Sequence, residues 1–188
     1  PDFEKLAKKI NAKTKIIFVN YPQMPTGQLP TRDLFGQLVA FAKEKGVLIV
    51  HDNPYSFILN DEPLSLLSIP GAKDCVLELN SLSKSHNMAG WRVGVLAGAA
   101  SRIDDVLCFK SNMDSGMFLP LQLAAAKALT LGTEWHEEVN AVYRARREKV
   151  FALLRLLGCR FEKQQAGMFV WASLPRGFTD GFALSDAI

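Results

Sequence analysis

The sequence predicts an α/β fold, a mixed, mostly parallel sheet covered by helices. Three observations carry this. First, four short apolar runs recur: Lys15-Ile16-Ile17-Phe18-Val19, Val47-Leu48-Ile49-Val50, Val76-Leu77-Glu78-Leu79 and Val93-Gly94-Val95-Leu96-Ala97. The first, second and fourth are nearly continuous, as in strands covered on both faces. Second, amphipathic segments alternate with the runs, which gives layers of helix on sheet. Third, only Asn80 to Arg92 separates the last two runs, and it has no helical period. A parallel crossover needs about 10–12 residues or more, usually with a helix. The fourth strand is therefore expected to run antiparallel to its sequence neighbour or to lie elsewhere in the sheet, reached by a loop; if antiparallel, it starts at the edge where the other three end.

The elements follow in order. The chain opens at Pro1 on a helix-like stretch. Thr31 to Lys45 reads as a helix, with Leu34, Leu38, Phe41 and Ala42 on one face, Thr31 as its cap and Gly46 as its stop. Pro120 to Thr130 reads as a helix with proline in its first turn. Thr133 to Leu157 reads as a long helix, capped by Thr133 and stopped by Gly158, able to bridge two domains. Gly167 to Leu174 reads as a strand, and Phe182 to Ile188 as the start of another helix. A chain starting without Met and stopping inside a helix is expected to be a fragment of a longer protein.

Composition narrows the function classes. Of 188 residues, 48% are hydrophobic and 22% charged, so the chain can bury a core and is no disordered or fibrous sequence. The net charge of +3 is too small to point to nucleic acid or a membrane surface. The basic cluster Arg144, Arg146, Arg147 and Lys149 reads as the solvated face of a helix. The three cysteines, Cys75, Cys108 and Cys159, read as buried apolar residues of a reducing compartment, and none is spaced with a histidine as a metal ligand set. No apolar run approaches the roughly 18 residues of a transmembrane helix.

Four segments converge on the sheet edge where the strands end: Asn20 to Gly27, Asp52 to Tyr55, Ser81 to Lys84 and Gly90 to Gly94. Open α/β sheets bind ligands at that edge. A cofactor carrying an aldehyde, a pyridine ring and a phosphate would find its needs met there. Lys84 supplies an amine for the aldehyde. Asp52 can hold a ring nitrogen protonated. Tyr55 can donate to a ring oxygen, and Arg92, Ser81 and Ser83 can hold the phosphate. His51 adjoins Asp52 but faces the other side of the strand, which suggests a structural role. Trp91 reads as a packing anchor, and Gly27, Gly90 and Gly94 as residues that shape the backbone.

With Pro25-Thr26-Gly27, Asp52-x-x-Tyr55, Ser81-x-Ser83-Lys84 and Arg92 eight residues on, the sequence resembles the fold-type I pyridoxal-phosphate enzymes, the class I/II aminotransferases. Gly90-Trp91-Arg92 is similar to the form in aspartate-aminotransferase-like and diaminopimelate-aminotransferase-like members. The order holds over about residues 2 to 174. The resemblance implies that Lys84 is the Schiff-base lysine and proton shuttle, that Asp52 pairs with the pyridine nitrogen of pyridoxal 5'-phosphate, and that Tyr55 meets the ring hydroxyl. Ser81, Ser83 and Arg92 would hold the phosphate. The implied reaction moves an amino group from an amino acid to a 2-keto acid. A C–S β-lyase, a cyclising synthase or an aminotransferase-like sensor domain of a transcription regulator are the alternatives. The expected division is 1–140, part of the large cofactor-binding domain, and 141–188, the incomplete start of a small α+β C-terminal domain. The implied parent is a cytoplasmic homodimer that binds neither metal, nucleic acid nor membrane. One position departs from the family: Met24 stands where an asparagine donor is usual.

Overall fold

The computed structural model describes all 188 residues. Its centre is a four-stranded sheet in the order β1-β2-β3-β4, comprising β1 (Ile16–Asn20), β2 (Leu48–Asp52), β3 (Val76–Ser81) and β4 (Gly94–Gly98). β1, β2 and β3 are parallel, with Asn20 beside Asp52 and Asp52 beside Leu79. β4 is antiparallel to β3, and its first residue, Gly94, lies opposite Ser81. The short Asn80–Arg92 link thus does what its length requires.

Helix α1 (Phe3–Lys9) precedes β1, and α2 (Arg32–Lys45) joins β1 to β2. Thr31 caps α2 by accepting from the Leu34 N–H, and Gly46 ends it at φ 64°. α2 buries Phe35, Leu38, Val39 and Ala42 against Val47, Ile49, Leu66 and Val76, while its Phe41 meets the Phe3 ring of α1. At about 1.5–3 kcal/mol for each large side chain buried, this cluster is the main apolar stabilisation of the sheet. A second cluster, Leu82, Met88, Val93 and Ala125, lies under the Lys84 loop.

Between β3 and β4 the chain forms a one-turn helix, α3 (Leu82–Ser85), and a 3-10 turn at Ala89–Trp91. The sequence reading had a loop there; four residues are too few to show a period. α4 (Ala100–Lys110) follows β4 and adds a helix to those expected; it buries none of its residues and leaves Val106, Leu107 and Phe109 exposed. α5 (Leu119–Ala128) carries Pro120 in its first turn. α6 (Thr133–Leu156) is capped at Gly132, so Thr133 is its first residue rather than its cap. Short α7 (Gly181–Asp186) closes the chain.

Residues 167–174 do not form the expected strand. They have no strand beside them; one bridge, Arg160 to Ser173, is all that pairs there. Instead the Gln165 amide reads the backbone of Trp171, donating to its carbonyl at 2.9 Å and accepting from its N–H at 2.6 Å. Two other expectations are corrected by exposure. Cys108 lies on the open surface of α4 and is not buried. Trp91 is 45% exposed and so is not a buried anchor. Within the basic cluster, Arg147 turns inward and donates to the Gln165 carbonyl at 2.8 Å. No helix is long and apolar enough to cross a membrane.

Candidate active site

The site grows from the ends of the strands. Asp52 is the last residue of β2 and is exposed, while its neighbours His51 and Asn53 are buried. Alternation along the strand puts Asp52 on the opposite face from both. Asn20, the end of β1, donates from Nδ2 to the Asp52 carbonyl at 2.8 Å and accepts from the Met24 N–H at 2.8 Å. One side chain thereby ties the Pro-Thr-Gly loop to the end of β2. Partial burial pushes the Asp52 carboxyl upward, and His51 opposes that push.

Lys84 is the third residue of α3. Ser81 caps that helix by accepting from the Ser83 N–H at 3.1 Å, and the Ser81 hydroxyl lies 2.8 Å from Ser83 Oγ. The Leu82 N–H donates to the Val93 carbonyl at 3.3 Å, so the antiparallel return brings Arg92 back beside Ser81. Arg92 sits at φ 54°, exposed, with Nη1 donating to the Ala89 carbonyl at 2.9 Å. Lys84 Nζ lies 6.0 Å from the centroid of the Tyr55 ring. Burial, and then the Asp52 charge, raise the Tyr55 hydroxyl above its usual 10.0. All six residues singled out in the sequence thus stand along one edge. None of Lys84, Asp52 and Arg92 belongs to an ion pair.

That donor set fits pyridoxal phosphate. It offers an amine without an acid partner for the aldehyde, a carboxylate without a base for the ring nitrogen, a phenol for the ring hydroxyl, and two hydroxyls with a guanidinium outside any ion pair for the phosphate. Met24 offers none. Its thioether lies instead against Gly167, where an added Cβ would stand 2.4 Å from the Met24 methyl carbon.

Other neighbours were not foreseen. The segment 165–169 folds over the site: the Ala166 N–H donates to the Gly27 carbonyl at 2.9 Å and the Gly167 N–H to the Ile58 carbonyl at 2.8 Å. The Phe169 ring meets Tyr55 edge-on at 6.2 Å. α6 reaches the Lys84 turn through Trp135, whose Nε1–H donates to the Ser85 carbonyl at 2.9 Å. His86 bonds to Ser85 Oγ at 2.8 Å and meets His136 edge-on at 5.4 Å. Burial, and then His136, hold the His86 imidazole below its usual 6.5. Nothing in residue spacing announces these contacts, which depend on how α6 and the C-terminal segment close. His51 and Glu78 had a signal: two ionisable residues inside adjacent apolar strands.

The family described as aminotransferase class I and II matches residues 1–183. Among curated proteins, LL-diaminopimelate aminotransferase from Oleidesulfovibrio alaskensis is 40% identical over 182 residues, covering 95% of this chain and 47% of its own length. The enzyme of that name from Natranaerobius thermophilus is 38% identical over 190 residues, covering 100% of this chain and 49% of its own. The chain therefore spans about half the length of the curated relatives it matches. Among solved structures, apo-BacF from Bacillus subtilis superposes with a TM-score of 0.89 at 36% identity, over 99% of this chain and 48% of that one. A probable N-succinyldiaminopimelate aminotransferase from Thermus thermophilus gives 0.81 at 32%, over 87% of this chain and 45% of that one.

Proposed function

The chain belongs to the class I and II aminotransferase family, and on that premise we propose that it is the lysine-bearing part of a pyridoxal-phosphate-dependent aminotransferase. The reaction would move an amino group from an amino acid to a 2-keto acid. One observation carries the reading: an amine, a carboxylate and a guanidinium without ionic partners line the edge where β1 to β3 end and β4 begins.

When bound, the cofactor supplies an aldehyde that condenses with amines and a protonated ring that accepts the electron pair left on the substrate carbon. Lys84 Nζ would hold the aldehyde carbon, and once displaced would take the proton from the substrate Cα and deliver it to the former aldehyde carbon, across the nitrogen. Asp52 would keep the ring nitrogen protonated. The Tyr55 hydroxyl would donate to the ring oxygen; with Met24 contributing no donor, that bond stands without help from the Pro-Thr-Gly loop. Arg92, Ser81 and Ser83 would hold the phosphate. Ser81 and Ser83 are hydrogen-bonded to each other at 2.8 Å, which sets their two hydroxyls side by side for a phosphate oxygen.

The curated relatives named above are aminotransferases, which favours transamination over the lyase, synthase and sensor alternatives. Their names make diaminopimelate the first amino donor to assay. The whole protein would act as a homodimer in the cytoplasm, with residues 1–140 in the large domain and 141–188 opening a small one. Support for the division is the single helix α6 that runs through the junction, and support for a partner is the apolar surface at Phe109, Met113 and Phe118.

The test is an absorption spectrum of the full-length protein with pyridoxal phosphate, followed by borohydride reduction and peptide mapping. A visible band with the label on Lys84 is expected. A keto acid with pyridoxamine phosphate from the amino donor marks transamination; pyruvate with ammonia would mean a lyase instead.

A further inference from the structure

Two ionisable residues lie inside the sheet, behind the candidate site and untouched by the chemistry above. His51 on β2 is fully buried, and Glu78 stands directly across from it on β3, 7% exposed. Four donors converge on the Glu78 carboxyl. Oε2 receives His51 Nδ1 at 3.0 Å, the Ser65 hydroxyl at 2.8 Å and the Leu66 N–H at 2.9 Å. Oε1 receives Asn53 Nδ2 at 3.2 Å. The other ring nitrogen of His51, Nε2, lies 3.0 Å from the Tyr21 carbonyl.

These partners define the protonation of both groups. A carbonyl only accepts, so Nε2 carries a hydrogen. Three neutral donors already favour the ionised carboxyl, so Nδ1 carries one too. The Phe35 ring closes the remaining side, edge-on at 5.2 Å, and Glu78 is the titratable group bonded to the imidazole. An apolar pair of similar volume would serve stability as well as a buried ion pair does, so stability alone does not account for it.

What the pair touches is more telling. Tyr21 begins the loop after β1 that leads to Pro25-Thr26-Gly27. His51 and Asn53 flank Asp52 on either side. Ser65 and Leu66 close the loop that carries Tyr55. We propose that His51 and Glu78 form a buried imidazolium–carboxylate pair that positions Asp52 and Tyr55 for the cofactor ring. Both are positioning residues, since neither reaches the edge itself. The His51 charge also acts on Asp52, opposing the upward push of burial and favouring the carboxylate that a ring nitrogen needs. This inference rests on the reading of Asp52 as the ring-nitrogen partner.

The experiment uses the full-length protein, unsubstituted and as Glu78→Gln and Ser65→Ala. Nitrogen-15 NMR of the apoprotein reads the protonation of the two His51 ring nitrogens, and absorbance titration reads the dissociation constant of pyridoxal phosphate. In the unsubstituted protein both ring nitrogens should be protonated. Glu78→Gln should leave one protonated and weaken cofactor binding about tenfold, the scale of one lost charge-assisted hydrogen bond. Ser65→Ala removes a neutral donor and keeps the pair; it should lower stability yet change cofactor binding by less than about threefold. A singly protonated His51 in the unsubstituted protein overturns the inference, whether or not Glu78→Gln folds. So does cofactor binding unchanged by Glu78→Gln, or weakened as much by Ser65→Ala. Borohydride labelling away from Lys84 overturns instead the reading of the site on which the inference stands.

Discussion

Replacing glycine by alanine should have opposite effects at two positions of this chain, and the sign at each follows from geometry. Gly27 ends the Pro-Thr-Gly motif at φ +71°. An alanine there pays about 1–2 kcal/mol for the left-handed backbone. Its Cβ would also stand 2.7 Å from Gln165 Cβ, 2.9 Å from the Ala166 carbonyl oxygen and 3.0 Å from the Ala166 nitrogen. Two of those three atoms are backbone and the third is a Cβ, so no side-chain rotation relieves the clash. Overpacking of this kind costs about 1–3 kcal/mol. Relief by separation would stretch the bond from the Ala166 N–H to the Gly27 carbonyl, now 2.9 Å, and lose about 0.5–1.5 kcal/mol more. Gly27→Ala should therefore destabilise by about 2.5–6.5 kcal/mol, a large share of the 5–15 kcal/mol typical of a folded domain.

Gly36 is the contrast. It lies inside α2, and an added Cβ meets nothing within 4 Å. Gly36→Ala should stabilise by about 0.8–1.0 kcal/mol, the difference in helix propensity. Urea unfolding of the two variants and the parent, followed by circular dichroism, gives both numbers. The reasoning fails if Gly27→Ala costs less than about 1 kcal/mol, for then neither the left-handed backbone nor the clash is real. It fails equally if Gly36→Ala destabilises.

Asp52→Asn should leave the apoprotein melting at the same or a higher temperature near neutral pH, while amino transfer falls about a hundredfold or more. Burial raises the Asp52 pKa above 3.8, so ionising it works increasingly against the fold as pH rises through that window, and the amide is free of this. Glu78 acts in the opposite sense. Burial alone would raise its pKa, but the bonds from His51, Ser65 and Asn53 outweigh that and hold it below 4.5. Its contribution is present above 4.5 and lost as pH falls through the lowered value, so Glu78→Gln should flatten the acid limb of a stability–pH curve. His86, held below 6.5 by burial and then by His136, contributes stability above 6.5 that is lost as pH falls through its lowered pKa. His136→Gln should make that loss shallower, and proton NMR of the His86 ring should show its midpoint moving up.

What the sequence made legible, and what it hid, divides along physical lines. Strand positions could be read from short, nearly continuous apolar runs, as Ile16 to Val19 and Leu48 to Val50 are; β2 is covered as such a run implies, whereas Ile16 and Phe18 leave one face of β1 exposed. The site residues could be read because a polar residue two positions past the end of such a run, Asp52 or Ser81, has reached the sheet edge. α4 was missed although Ile103, Val106 and Leu107 fall at helical spacing, because that stripe is only three residues long and Phe109 falls off it. Residues 167–174 misled because an apolar run shows extended backbone without showing whether a strand lies beside it. The His51–Glu78 pair stayed hidden because its meaning is relational. Each residue looks like a blemish in its own strand, and only the register that sets His51 beside Glu78 makes them partners.

The reversal at β4 is the feature on which the proposed chemistry turns. Had β4 run parallel to β3, Arg92 would precede it at the far edge of the sheet. With five residues at roughly 3.4 Å each, that is roughly 17 Å away, beyond the reach of an arginine side chain. The reversal needs a compact link, and the chain builds one from a helical turn capped by Ser81, a 3-10 turn and a left-handed residue. That last residue is Arg92 itself, at φ 54°, where glycine would sit without strain. A non-glycine residue there costs about 1–2 kcal/mol, and glycine would close the same turn more cheaply. Solubility does not call for a charge at that one strained position. A guanidinium needed at the edge beside Ser81 and Lys84 does, and such strain is characteristically kept at functional sites.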